Sequence, residues 1–186
     1  MKRLRLAAIG CGGRTYTYLS LAAQAPAKYE IIAAADPKPV RVERIRAISN
    51  NPHFRAFKDD AEILAADRLA DIMLIGTQDS AHFMPAKRAM EKGYDILLEK
   101  PIATRPEDVL KLAKIAEQLG RRILVCHILR YSPMYRKIKE IIASGAVGDI
   151  ITFNAIEAPG PWHHAHSYVR GHWAVTSKSS PMIVAK

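Results

Sequence analysis

"LRLAAIGCGGRT", residues 4–15, runs a short apolar stretch into a glycine-rich turn, and this stretch decides the fold. Leu4 to Gly10 has the length and composition of a covered strand, and "TYTYLSLAAQA", residues 15–25, carries helical spacing after the turn. "YEIIAAAD", residues 29–36, is a second apolar run. A strand, a helix and a strand in that order make a crossover unit with parallel strands.

The same alternation continues. Residues 40–49 predict a helix, "HFRAF" (53–57) a short third strand, and "DDAEILAAD" (59–67) a helix opened by its acids. "ADIMLIGT" (70–77) reads as the fourth strand, followed by a helix from Ser80 to Lys92 that stops at Gly93. "YDILLEKP" (94–101) is the fifth strand, and "RPEDVLKLAKIAEQLG" (105–120) is a helix with Pro and acids in its first turn and Gly120 as its stop. "RRILVCHI" (121–128) gives a sixth strand and "MYRKIKEIIASG" (134–145) a last helix. Uninterrupted apolar strands belong to sheets covered on both faces, so the expected fold is α/β, a doubly wound and mostly parallel sheet.

Character changes near Gly148. "DIITFNAIEA" (149–158) alternates like a half-solvated antiparallel strand, and the aromatic, His-rich remainder to Lys186 lacks periodicity. The expected organisation is a dinucleotide-binding domain over 1–148 and the incomplete start of an α+β domain over 149–186.

Composition excludes several classes. With 186 residues, 49% apolar and 25% charged, and no run of about 18 apolar residues, the chain reads as globular and not membrane-bound. The basic opening imitates a secretory leader, but Arg5 breaks the run and Leu6 to Ile9 is too short for one. Cys11 and Cys126 make no disulfide framework, which suits a reducing cytoplasm. The net charge of +10 is spread along helices with acids between the bases, a solvated-face pattern that argues against a nucleic-acid partner.

Chemistry concentrates at strand ends. Gly10, Cys11, Gly12, Gly13 and Arg14 fill the turn where a pyrophosphate sits on a helix N-terminus. Thr15 occupies the place of the pattern's third glycine. Asp36 ends the second strand at the position that hydrogen-bonds an adenosine ribose and repels a 2′-phosphate, favouring NAD; Lys38 and Arg41 soften that repulsion and leave NADP open. Thr77, Gln78, Asp79 and His82 follow the fourth strand, where Ser80 could alternatively cap the next helix. Glu99, Lys100 and Pro101 follow the fifth, placing an ammonium at the ligand edge of the sheet. His163, His164, His166 and His172 lack a carboxylate or cysteine at metal-ligand spacing, so no metal is expected. Trp162, His163, Arg170 and Trp173, with Arg130, are the candidate lining of a hydroxyl-rich substrate site.

"AAIGCGGRT", "AAAD", "IGTQDSAH" and above all "ILLEKPIA", in that order, resemble the Gfo/Idh/MocA family of nicotinamide-dependent oxidoreductases. "LRYSPMYRKIKEIIASGAVGDIITF" resembles that family's passage into its substrate domain. The resemblance implies a pyrophosphate loop at Gly10, Gly12, Gly13 and Arg14, a ribose contact at Asp36 and a nicotinamide site shaped by Glu99 and Pro101. It makes Lys100 the catalytic lysine. Thr77 matches the family's Thr-Pro-Asn, from which Gln78 and Asp79 depart. The implied reaction passes a hydride between the cofactor and a hydroxyl-bearing carbon of a sugar, polyol or related acid. Elimination or glycoside cleavage through transient oxidation stays open, as does a non-catalytic nicotinamide-binding module. The resemblance further implies an N-terminal portion, inactive alone, of a protein that assembles as a homo-oligomer through its second domain.

Overall fold

The computed structural model of the protein describes residues 2–158, 160–171 and 173–175. Six strands form where the apolar runs stand: β1 (Leu4–Ile9), β2 (Tyr29–Ala35), β3 (Arg55–Phe57), β4 (Ile72–Ile75), β5 (Asp95–Leu98) and β6 (Ile123–Val125). They lie in the order β3-β2-β1-β4-β5-β6, and every pairing is parallel. This is a doubly wound Rossmann-type sheet. The order reverses between β1 and β4, and in such sheets ligands bind outside the carboxyl ends at that switch point.

Strand alternation sorts the core into two layers. Ala7, Ile9, Met73, Ile75, Ile96 and Leu98 point to one face and pack beneath α3 (Asp60–Ala65), α4 (Phe83–Glu91) and α5 (Pro106–Leu119). Ala8, Ala34 and Leu74 point to the other, beneath α1 (Gly13–Ala23) and α2 (Pro39–Ser49), which supply Leu19, Val42 and Ile45. The central strands carry Ala7, Ala8, Ala33, Ala34 and Ala35, all nearly or fully buried, so helices on both sides approach closely. Asp59 opens α3 by accepting the Glu62 amide at 2.8 Å, a side-chain cap that satisfies one orphan N–H.

Several boundaries differ from the sequence expectations. β5 stops at Leu98, although the Glu99 amide still donates to Ile75 O at 2.9 Å, so Glu99 leaves the sheet as its last laddered residue. A 3-10 turn (Asp79–Ala81) precedes α4, whose N-cap position is His82; Ser80 is therefore not its cap. The larger correction is "DIITFNAIEA": no strand forms there, and Ile151, Phe153 and Ile156 are exposed. Alternation prepares a strand, but only ladder hydrogen bonds make one, and among the described residues no neighbour pairs with it. No helix among the described residues is long and apolar enough to cross a membrane.

After β6 the chain makes a 3-10 turn (Ile128–Tyr131) and α6 (Pro133–Ala143), all of whose residues are exposed. Farther on, α7 (Pro161–His164) continues into a π-helical turn (Ala165–Val169) that returns over the carboxyl edge of the sheet.

Candidate active site

The turn after β1 is shaped by two glycines facing each other. Gly10 has φ +81°, and a Cβ on it would lie 2.8 Å from the Gly76 carbonyl and the Thr77 nitrogen. Gly76, in turn, leaves room for Thr15, whose hydroxyl donates to Gly10 O at 2.6 Å from a fully buried position. Thr15 thus fits where a third glycine was expected, because the facing strand end has no side chain. Gly12 and Gly13 border open space, and no side chain caps α1. The first helical amides, which have no acceptor within the helix, are left for an anion.

Asp36 locks this turn to the end of β2. It is 4% exposed; Oδ2 accepts the Cys11 amide at 2.8 Å, Oδ1 accepts the Lys38 amide at 2.9 Å, and Arg41 lies 3.5 Å away. Cys11 turns its thiol inward toward Ala35 O, and burial, reinforced by Asp36, raises that thiol to about 12. Its backbone belongs to the loop, but its side chain does not reach the cleft.

Glu99 is held from three sides. Tyr18, 81 positions earlier on α1, donates to Oε1 at 2.6 Å; the Lys100 amide donates to Oε2 at 3.1 Å; Arg14 stands 4.0 Å from Oε1. Burial first, then the bond to Glu99, raises the Tyr18 phenol, which stays a protonated donor. Burial also raises the neighbouring Cys126 thiol to about 11, with Glu99 adding to the rise. The Lys100–Pro101 peptide is cis. Pro101 O is met by fully buried His82 Nδ1 at 2.6 Å, and burial lowers the His82 pKa, so the neutral ring donates to that carbonyl. His82 and Pro101 therefore brace the Lys100 turn from behind.

A cleft of about 650 Å³ gathers these groups. Gly10, Gly12, Gly13, Arg14, Asp36, Thr77, Gln78, Asp79, Glu99 and Lys100 line it. From the far segment come His163, His166, Tyr168 and Trp173, and the Trp173 indole donates to buried Asp79 at 3.2 Å. Asp79 in place of the expected Asn accepts that N–H. Three of the substrate candidates are not brought in: Arg130 is exposed on its turn, Trp162 is 86% exposed, and Arg170 is exposed. His172 lies outside the described residues, as does the chain from 176 onward. The Tyr18 contact to Glu99 and the cleft positions of His166 and Tyr168 were not foreseen; the helical spacing from Arg14 to Tyr18, one turn along the same face, is the signal that could have found Tyr18.

Comparison with known proteins settles the kinship of this architecture. Residues 4–127 match the model of an oxidoreductase family described as an NAD-binding Rossmann fold. The chain belongs to the Gfo/Idh/MocA oxidoreductase family. Among curated members, an inositol 2-dehydrogenase of Corynebacterium glutamicum is 26% identical over 156 residues, covering 83% of this chain and 45% of that protein. Among solved structures, the WlbA dehydrogenase of Bordetella pertussis in complex with NADH and UDP-GlcNAcA superposes with a TM-score of 0.72 at 25% identity, over 79% of this chain and 44% of that one. The scyllo-inositol dehydrogenase of Lactobacillus casei, bound to NAD(H) and scyllo-inositol, shares the fold with a TM-score of 0.73 at 18% identity, over 80% and 43%. The chain spans less than half the length of these Gfo/Idh/MocA relatives.

Proposed function

We propose that residues 1–148 bind NAD in this cleft and that Lys100 serves hydride exchange with a hydroxyl-bearing carbon of a sugar or polyol. The carrying observation is the convergence of the Gly10 turn, Asp36 and Lys100 on one cleft at the switch point of the sheet. The residues fit a dinucleotide: an uncapped helix N-terminus for its pyrophosphate, the Gly10–Gly76 contact for close backbone approach, and Asp36 for ribose hydroxyls. When bound, the nicotinamide ring accepts or supplies the hydride. In its neutral amine form Lys100 takes the hydroxyl proton as the carbon is oxidised, and as the resulting ammonium it returns that proton on reduction. Glu99, fixed by Tyr18, holds the lysine's backbone, and His163, His166 and Trp173 offer donors and an aromatic face to a hydroxylated ring. The segment from 149 onward is the start of the substrate domain, and a homo-oligomer in a reducing cytoplasm is the expected setting.

A fluorescence titration of this chain with NADH tests the first half of this proposal, and turnover by the protein carrying its whole substrate domain, against a panel of cyclic polyols and nucleotide-linked sugars, tests the second. Saturable NADH binding with net reduction of added NAD is expected. Cleaved substrate with unchanged cofactor would move the assignment to elimination, and binding without any turnover to a cofactor-binding module.

Asp36 has both carboxylate oxygens engaged and Arg41 beside it, so its repulsion of a 2′-phosphate is partly neutralised. Arg41→Ala is expected to weaken NADPH relative to NADH by about tenfold, the size of one lost charged hydrogen bond. Titration of both cofactors on both proteins checks it; an unchanged ratio would remove Arg41 from the specificity argument.

A further inference from the structure

Two buried side-chain polar atoms have no hydrogen-bond partner among the described residues: Ser20 Oγ, within α1, and Gln78 Oε1. Of the two residues, Gln78 is the one that lines the cleft. A buried carbonyl oxygen that meets neither water nor a donor is costly, and folded proteins leave few of them. The torsion that carries this oxygen is broad and roughly two-fold, so the amide can turn it into the cleft without moving the backbone.

That backbone is held in place. Gln78 O accepts the Ala81 amide at 2.8 Å, and Thr77 Oγ1 donates to Ala81 O at 2.9 Å, so the side chain projects from a closed turn at the carboxyl end of β4. The Thr-Pro-Asn motif that residues 77–79 resemble has proline here, whose ring offers a ligand no side-chain acceptor. The acceptor comes with this chain's departure from that motif.

Strand order decides which part of a dinucleotide reaches Gln78. Along the carboxyl edge stand Asp36 after β2, the Gly10 turn after β1, Gln78 after β4 and Lys100 after β5. Neighbouring strands lie about 4.8 Å apart. A cofactor with its adenosine ribose at Asp36 and its pyrophosphate at the Gly10 turn passes β4 with its nicotinamide riboside. That half carries the donors a carbonyl oxygen needs, the ribose hydroxyls and the carboxamide N–H groups.

We infer that Gln78 Oε1 accepts a hydrogen bond from the nicotinamide riboside of the cofactor, and so favours a whole dinucleotide over an adenine nucleotide that reaches only Asp36 and the Gly10 turn. The inference rests on the proposed NAD cleft and adds a contact on its nicotinamide side. It also separates binding from stability, because an oxygen that waits for a ligand's donor does nothing for the fold.

Gln78→Met keeps the side chain's length and replaces the amide by a thioether, a weak acceptor. Calorimetric titration of the unaltered chain and this variant with NADH, ADP-ribose and ADP, beside their urea midpoints, tests the inference. The variant is expected to bind NADH about 5- to 10-fold more weakly, the size of one neutral hydrogen bond, and ADP within about twofold of the unaltered chain. Its urea midpoint should be unchanged or higher, since a buried acceptor without a donor has been removed. ADP-ribose identifies the donor: a loss equal to that of NADH assigns a ribose hydroxyl, and a loss confined to NADH assigns the carboxamide. An equal loss for ADP would overturn the inference by moving the effect to the pyrophosphate seat, and a lower urea midpoint would overturn it by showing that the amide serves the fold. If the unaltered chain binds no NADH, the reading of the cleft fails and the inference with it. If the unaltered chain binds NADH and the variant binds it equally well, the inference alone fails.

Discussion

Gly10→Ala is expected to cost the fold about 2–5 kcal/mol, from a left-handed backbone of about 1–2 kcal/mol and an overpacked contact of about 1–3 kcal/mol. The residue has φ +81°, and its new methyl would stand 2.8 Å from the backbone of Gly76 and Thr77, atoms that cannot swing aside as a side-chain tip could. Relief requires β1 and β4 to part at the switch point, which also displaces the Cys11 amide from Asp36 and the Thr15 hydroxyl from Gly10 O. NADH binding should therefore vanish even at denaturant concentrations where the chain stays folded. Gly13→Ala is the control: its Cβ meets nothing within 4 Å and it sits in the first turn of α1, so stability should change by less than about 1 kcal/mol. Urea midpoints for the two variants decide the matter. A Gly10→Ala protein as stable as the native chain would mean that the close approach of the two strand ends is not what the glycine serves.

The sheet was legible because its signals are local. Each strand is an apolar run short enough to exclude a helix, each crossover helix has its own stop or opening residue, and alternation within Ala7–Ala8–Ile9 or Met73–Leu74–Ile75 assigns side chains to faces without knowing the neighbours. The core of the cleft was legible for the same reason: Gly10, Asp36, Thr77 and Lys100 all follow strands, and parallel strands bring their ends to one edge. What sequence could not show depends on distant partners. Glu99 is an ordinary acid until Tyr18, on another element, reaches it; Asp79 is an odd replacement until the Trp173 indole, 94 positions on, supplies its N–H. Residues 149–158 failed in the opposite direction, since their alternation is genuine but alternation cannot supply a ladder. Arg130 and Trp162 were chosen for residue type alone, and residue type does not say which way a loop turns.

Lys100→Ala is expected to slow hydride exchange by about 100- to 10,000-fold, the usual worth of a placed acid–base group, while NADH affinity changes by less than about threefold. The separation follows from the cleft's layout. The Gly10 turn and Asp36 follow β1 and β2, whereas Lys100 follows β5 on the other side of the switch point, and its backbone is held by Glu99 whatever side chain it bears. Lys100→Arg separates charge from proton transfer. A guanidinium keeps the positive charge and donors that polarise a substrate oxygen, but it does not give up its proton at any working pH. If Lys100 carries the proton, arginine fails nearly as badly as alanine in the oxidation direction. If it only steadies a developing oxyanion, arginine restores most of the rate. Single-turnover rates with one polyol for the three proteins, each carrying the whole substrate domain, beside their NADH affinities, distinguish these cases. Near-native turnover by the alanine variant would remove Lys100 from the chemistry and leave the cleft as a place where nicotinamide binds without a base to serve it.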